Sequence, residues 1–88
     1  MSVTNSNRIR QRAENWIKAK SRGKIFHLSD LYADLYAKFK DECDARGIMD
    51  NREPRYQHDA RQAIRDCKAR GIISQDGSSR SGRYRVSY

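Results

Sequence analysis

Cysteine, proline and long apolar runs are all scarce in this sequence of 88 residues, which holds two cysteines and one proline. Two cysteines, both within predicted helices, cannot build a disulfide framework, and a zinc site would need about four ligands at characteristic spacings. No stretch approaches the roughly 20 apolar residues of a membrane span, and the N-terminus lacks the apolar run of a secretory signal. We therefore expect no metal site, no membrane contact and a cytoplasmic location, associated with the nucleoid if the source is prokaryotic.

Motifs for catalysis are also missing. No nucleophile and base stand at a spacing that forces them together, and no glycine-rich loop ends in Lys-Ser or Lys-Thr. A chain of this length buries only about 60 to 65% of its unfolded surface, which leaves little room for an enclosed active site. We expect a single domain over residues 1–88, with residues 1–5 flexible, no cofactor and no enzymatic activity.

Acidic residues are outnumbered, because 19 Lys and Arg against 11 Asp and Glu give a net charge of +8. Residues 1–23 hold six basic and one acidic side chain, residues 24–51 hold four and six, and residues 52–88 hold nine and four. The two ends of the chain are therefore basic and the middle is not. A fold that brings those ends to one face would present a positive surface suited to phosphates.

The spacing of the apolar residues predicts three helices. The first covers residues 5–22, the second follows the capping pair Ser29 and Asp30 and ends before Gly47, and the third covers about 54–70. The core-facing side of the third helix holds Tyr56, Ala60, Ala63, Ile64 and Cys67.

Three short segments have the character of strands. Residues 25–28 form an apolar stretch before the second helix, and the stretches GIISQ and GRYRVSY near the end are joined by DGSSRS. In the last stretch Tyr84 and Val86 alternate with Arg83 and Arg85, which is the period of a strand with one buried face. The sequence therefore predicts an α+β fold, mainly helical, with a two-stranded hairpin whose tip is exposed and basic.

The pattern Cys-x-Ala-Arg-Gly-Ile occurs twice, from Cys43 to Ile48 and from Cys67 to Ile72. Both copies are typical of a helix C-terminus, where glycine takes the left-handed position, arginine complements the helix dipole and isoleucine folds back toward the cysteine. We expect both cysteines to be small buried apolar groups rather than a redox or metal pair.

The order helix, short strand, helix, helix and ribbon resembles the winged helix-turn-helix fold over about residues 8–88. The most specific stretch is RQAIRDCKARGIISQDGSSRSGRYRV, which looks like the usual end of such a domain. More narrowly, FHLSDLY, AIRDCKARGII and GRYRV are similar to winged-helix specificity modules of restriction endonucleases, including enzymes that read methylated DNA. The connection over residues 47–53 is longer than in a minimal helix-turn-helix.

The resemblance implies binding of double-stranded DNA, with the third helix in the major groove and the wing on the backbone. Carried over by position, the groove residues are Arg55, His58, Arg61, Gln62 and Arg65, and the wing residues are Arg80 and Arg83. Arginine can pair with guanine and glutamine with adenine. At the start of the first helix, Arg8, Arg10 and Arg12 could add phosphate contacts. The role would be that of a regulator or of the targeting module of a DNA-processing system.

Two alternatives stay open. The chain could be a protein-interaction winged helix that uses the acidic side of the second helix and the loop over residues 48–56. RNA binding by the same basic face is weaker, because no exposed aromatic pair offers a stacking platform. A homodimer is also open, since many helix-turn-helix proteins bind paired half-sites as dimers.

Overall fold

A computed structural model describes residues 5–78 and 81–87, which form four helices and one three-stranded antiparallel sheet. The predicted α+β class, mainly helical, is confirmed. In chain order the elements are α1 Asn5–Lys18, β1 Ile25–His27, α2 Leu28–Lys38, α3 Lys40–Arg46, α4 Arg55–Ala69, β2 Ile73–Gln75 and β3 Arg83–Val86.

The predicted second helix is two helices, which corrects the expected count of three. Phe39, with φ −131° and ψ 42°, separates α2 from α3. On one straight helix Cys43 would lie about 120° around the axis from Leu31, so both could not face the same core. With the break at Phe39, Leu31, Leu35 and Cys43 are all buried.

The other helix boundaries differ by a few residues. The first helix ends at Lys18 rather than at residue 22. Gly23 then donates its N–H to the carbonyl of Val86 at 2.8 Å, which ties the turn after α1 to β3. At the start of α4, Pro54 is the N-cap and lies just outside the helix.

The start of α2 is capped two residues earlier than predicted, at His27 rather than at Ser29. The Nδ1 atom of His27 accepts the backbone N–H of Ser29 at 3.1 Å, and the Asp30 carboxylate accepts the backbone N–H of His27 at 3.1 Å. This reciprocal pair is a capping box, in which Asp30 has its expected place and His27 replaces serine as the cap.

The strand order in the sheet is β1-β3-β2, so β3 is central. Tyr84 lies opposite Phe26 on one side and Gln75 on the other, and Tyr84 and Phe26 are buried in the core. Arg83 and Arg85 alternate with the buried residues and are exposed on the outer face, as the period of β3 predicts. The hairpin of β2 and β3 therefore has an inner face toward the helices and an outer face toward solvent.

One cluster of buried residues joins all the elements. It consists of Ile9, Ala13, Ile17, Phe26, Leu31, Leu35, Cys43, Ala60, Ala63, Ile64, Cys67, Ile73, Tyr84 and Val86. Ile9, Ala13 and Ile17 come from α1, and they show that this helix packs its apolar stripe against the core. None of the helices in the described part of the chain is long and apolar enough to cross a membrane.

The two Cys-x-Ala-Arg-Gly-Ile copies end their helices differently. At the second copy the Gly71 N–H donates to Lys68 O at 3.1 Å and the Ile72 N–H donates to Cys67 O at 2.9 Å, which is the predicted folding back in a Schellman motif. At the first copy Gly47, with φ 77° and ψ −158°, sends the chain outward. Ile48 pairs with Pro54 in an isolated bridge and is 68% exposed, so folding back is wrong there.

Both cysteines are buried and unpaired, as expected. Burial raises the pKa of the Cys43 thiol to about 11 and also raises the pKa of Cys67. A raised pKa keeps both groups as neutral thiols at pH 7, and so neither has the thiolate character of a reactive cysteine.

Candidate nucleic-acid interface

The outer face of α4 carries a stripe of long polar side chains, which we call the α4 stripe: Arg55, His58, Gln62 and Arg65. Its members are three or four residues apart, so they lie on successive turns and extend over about 15 Å. The opposite side of the same helix is buried, through Ala60, Ala63, Ile64 and Cys67. The core thus fixes the rotation of α4 and turns the stripe outward.

The two arginines of the stripe, Arg55 and Arg65, have no ion-pair partner among the described residues. The side chains of Arg55, His58 and Arg65 form no hydrogen bond and no salt bridge with any residue that the structure describes. Arg65 is exposed, and Arg55, His58 and Gln62 are half-buried. Basic side chains elsewhere do have carboxylate partners, since Glu14, Glu42 and Asp76 each bind two of them.

A groove of about 370 Å³ lies between α4 and the hairpin. Its lining consists of His58, Arg61, Gln62, Ile64, Arg65, Lys68, Gln75 and Tyr84. Lys68 donates to the Gln75 side-chain oxygen at 3.2 Å, and the Gln75 amide donates to the carbonyl oxygen of Arg83 at 3.1 Å. These contacts fix the hairpin against α4, and His58, Gln62 and Arg65 of the stripe form one wall of the groove. We call it the α4 groove.

Arg61 lies in this groove but is already bound. Its Nη2 donates to Glu53 Oε1 at 2.8 Å, and its Nη1 donates to Glu53 Oε2 and, at 3.2 Å, to the Tyr32 hydroxyl. Hydrogen bonding to Glu53 raises the pKa of Arg61, and the same contact lowers the pKa of Glu53. Arg61, which the sequence predicts to contact a base or a phosphate, therefore binds the Glu53 carboxylate in this structure.

The predicted wing residues are placed as follows. Arg83 lies on the outer face of the sheet, where it donates to Asp76 Oδ2 at 2.9 Å, and Arg85 donates to Asp76 Oδ1 at 3.1 Å. That face is turned away from the α4 groove, because Tyr84 between the two arginines faces inward. Arg80 lies outside the described residues.

Two arginines of α1, Arg8 and Arg12, are directed toward α3, and none of the three predicted α1 arginines lines the α4 groove. Arg12 binds Glu42 through two hydrogen bonds of 2.7 and 2.9 Å, and its guanidinium lies 4.0 Å from the ring centroid of Phe39. Arg8 reaches the same carboxylate at 3.6 Å. Arg10 is exposed and lines a separate shallow groove with Asp66. The structure does not bring these three residues into the α4 groove.

Sequence reasoning missed two polar members of the groove, Lys68 and Gln75, and assigned Ile64 and Tyr84 to the core alone. Lys68 follows Arg65 by three residues, a spacing that could have placed it beside the stripe. Gln75 precedes the hairpin turn and has no sequence signal that distinguishes it, since its role depends on the contact with Lys68 across the groove.

The acidic residues of α2 and α3 are largely engaged within the molecule. Asp34 accepts the indole N–H of Trp16 at 2.7 Å, and Asp44 accepts from the Tyr36 hydroxyl and from Lys40, both at 2.9 Å. Beside them an apolar groove is lined by Tyr36, Cys43, Asp44, Gly47, Ile48, Pro54 and Tyr56. This second groove, with the exposed Ile48 at its edge, is formed in part by the predicted 48–56 loop.

Comparison of the chain with protein-family models, with curated proteins and with solved structures finds no match.

Proposed function

We propose that this protein binds double-stranded DNA as a winged helix, with α4 in the major groove and the hairpin beside the backbone. It would act as a regulator or as the targeting module of a DNA-processing system. The order of elements supports the proposal, because α2, α3 and the 47–54 loop lead into α4, and the β2–β3 hairpin follows it.

The observation that carries the proposal is the unneutralised charge of the α4 stripe. An α-helix fits the major groove of B-DNA, and a helix enters it with one outward face. In this chain that face holds Arg55 and Arg65, whose charges have no counter-ion among the described residues, while six of the carboxylates bind basic side chains that do not line the α4 groove. Such a charge distribution favours a polyanionic partner over plain solvent exposure.

The chemistry of the stripe offers both kinds of DNA contact. Arg65 can present two donors to a guanine edge, and Gln62 can present one donor and one acceptor to an adenine edge; each good pair gives about 1–3 kcal/mol of discrimination between bases. Arg55 at the start of the α4 stripe and Lys68 in the α4 groove suit phosphates, which set the position of the protein without reading sequence.

Binding of a short labelled duplex, followed by fluorescence anisotropy over a range of salt concentrations, tests the proposal. The wild-type chain should bind at low salt and lose affinity steeply as salt rises. Arg65→Gln should weaken binding about tenfold, because a base contact is lost. Arg22→Gln is the matched control, since Arg22 is also exposed but lies in the turn after α1. Absence of binding at low salt, or equal effects of the two variants, would refute the proposal.

A protein-binding role is the second candidate, and Ile48 is the observation that favours it. Ile48 is 68% exposed beside an apolar groove that includes Tyr36 and Tyr56, where the two rings stack at 5.6 Å. Exposed apolar groups of this kind can mark an interaction surface. Ile48→Asp should leave duplex binding unchanged in the anisotropy experiment, and a loss of binding there would join this loop to the DNA interface instead.

A further inference from the structure

We propose that the Arg61 guanidinium and the Tyr32 hydroxyl form a phosphate-binding site at the DNA interface, and that the Glu53 carboxylate occupies it until a backbone phosphate takes its place. This inference rests on the proposed DNA binding. It adds a second role to Arg61, which would otherwise be a structural partner of the 47–54 loop.

The geometry of the contact is that of an anion site. Two N–H groups of one guanidinium point at two oxygens of one carboxylate, which is the paired arrangement that arginine also makes with phosphate. The Tyr32 hydroxyl accepts from the same Arg61 Nη1 at 3.2 Å and keeps its own proton to donate to an incoming oxygen. A carboxylate and a phosphate can therefore use the same donors.

The position of Arg61 makes the exchange relevant to binding. Arg61 lines the α4 groove together with His58, Gln62, Arg65 and Lys68. It is the one arginine in that lining with a carboxylate partner among the residues the structure describes. A duplex phosphate that approaches the groove would meet Arg65 unpaired and Arg61 already neutralised.

The occupant can leave without unfolding the loop. The backbone of Glu53 is held by its own hydrogen bonds, since its N–H donates to Asn51 Oδ1 at 3.0 Å and its carbonyl accepts the Met49 N–H at 2.8 Å. Only the side chain needs to rotate, and the Glu53 side chain is already 23% exposed while that of Arg61 is 39% exposed. Both partners therefore have access to water, which lowers the cost of exchanging one anion for another.

The consequence is that Glu53 should lower the affinity for DNA while it stabilises the fold. Glu53→Gln removes the competing charge and should raise duplex affinity about fivefold, because a half-buried ion pair no longer has to be broken. The same substitution should lower the melting temperature, since the Arg61 contact is lost. Substitution of a residue with a purely structural role would lower the duplex affinity and the melting temperature together.

The experiment measures duplex affinity by anisotropy for wild type, Glu53→Gln, Arg61→Gln, the double variant Glu53→Gln/Arg61→Gln, and Glu42→Gln. Glu42→Gln is the matched control because Glu42 also binds an arginine, Arg12, through two hydrogen bonds and its loss changes the net charge equally. The expected result is a gain for Glu53→Gln that disappears when Arg61 is also replaced, and no comparable gain for Glu42→Gln.

Other outcomes separate the two proposals. If wild type binds duplex but Glu53→Gln binds no more tightly, or its gain persists without Arg61, the exchange is refuted and the proposed DNA binding stands. If wild type binds no duplex at low salt, the proposed function is refuted and the exchange with it.

Discussion

Arg46 and Asp59 form an ion pair inside the protein, with Nε of Arg46 2.7 Å from Oδ2 of Asp59 and a second contact of 3.2 Å from Nη2 to Oδ1. The side chain of Asp59 is only 5% exposed and that of Arg46 is 20% exposed. The pair joins α3 to α4, and it fixes α4 from the side opposite to the hairpin contact of Lys68. The orientation of the α4 stripe therefore depends on a charge pair in addition to apolar packing.

Loss of either partner should destabilise the fold strongly, because it leaves a charge that is removed from water and uncompensated. We expect Arg46→Ala to lower the free energy of unfolding by about 3–5 kcal/mol, and Asp59→Ala by less, since Arg46 can turn toward solvent. Urea denaturation measures both. Lys40→Ala, which breaks the exposed pair with Asp44, is the control and should leave the midpoint nearly unchanged. A cost below about 1 kcal/mol for Arg46→Ala would contradict the structural role of the pair.

The sequence predicted the parts of the fold that depend on periodicity. The spacing of Ala60, Ala63, Ile64 and Cys67 located α4 and its buried side, and the alternation around Tyr84 located β3. Both patterns depend only on residues close in sequence, so they can be recognised without knowledge of the tertiary structure. The same patterns placed Arg55, His58, Gln62 and Arg65 on one outward face, and the structure has them there.

The sequence analysis predicted neither the break at Phe39 nor the partners of the arginines. No glycine or proline marks Phe39, and the broad apolar face of the predicted helix hides the fact that Leu31 and Cys43 would lie about 120° apart on it. Arg12 and Glu42 are 30 residues apart, and only the packing of α1 on α3 brings them together. Arginines that looked equally available therefore divide into paired ones, such as Arg12 and Arg61, and unpaired ones, such as Arg65.

Acid should destabilise the protein through the carboxylates that bind arginine or lysine. The pKa of Glu14 is lowered by its hydrogen bond from Lys18, that of Glu42 by Arg12, and that of Glu53 by Arg61. A lowered pKa means that the stabilisation is complete above the ordinary value of 4.5 and is lost as pH falls through the folded-state value. The melting temperature should be flat from pH 7 to about 5 and fall below that.

Circular dichroism melts across this pH range, at low and high salt, check the prediction. High salt should make the fall shallower because the pairs are partly exposed. Glu42→Gln should also make it shallower, since one of the titrating carboxylates is removed. A melting temperature that does not change between pH 5 and pH 3 would contradict the assigned pairs.

Ile48 and Ile72 occupy the same place in the two copies of the repeated hexapeptide, and yet their substitutions should differ. Ile72 packs against the core behind the Schellman motif, whereas Ile48 is 68% exposed. We expect Ile72→Ala to cost about 1–2 kcal/mol of unfolding free energy and Ile48→Ala less than about 0.5 kcal/mol. Chemical denaturation of the two variants under one set of conditions measures the difference, and equal costs would mean that both isoleucines are buried alike.

Arg83 and Arg65 should have separable effects, although the sequence assigned both to the DNA interface. Arg83 lies on the outer face of the sheet and binds Asp76, whereas Arg65 lines the α4 groove without a described partner. Arg83→Gln should therefore loosen the hairpin and lower the melting temperature slightly, with at most about a twofold loss of duplex affinity. Arg65→Gln should leave the melting temperature nearly unchanged and weaken duplex binding about tenfold. Anisotropy and thermal melts on the same preparations compare the two. If Arg83→Gln weakens binding as much as Arg65→Gln does, the outer face of the sheet also touches the duplex, and the hairpin docks with its opposite side toward the DNA.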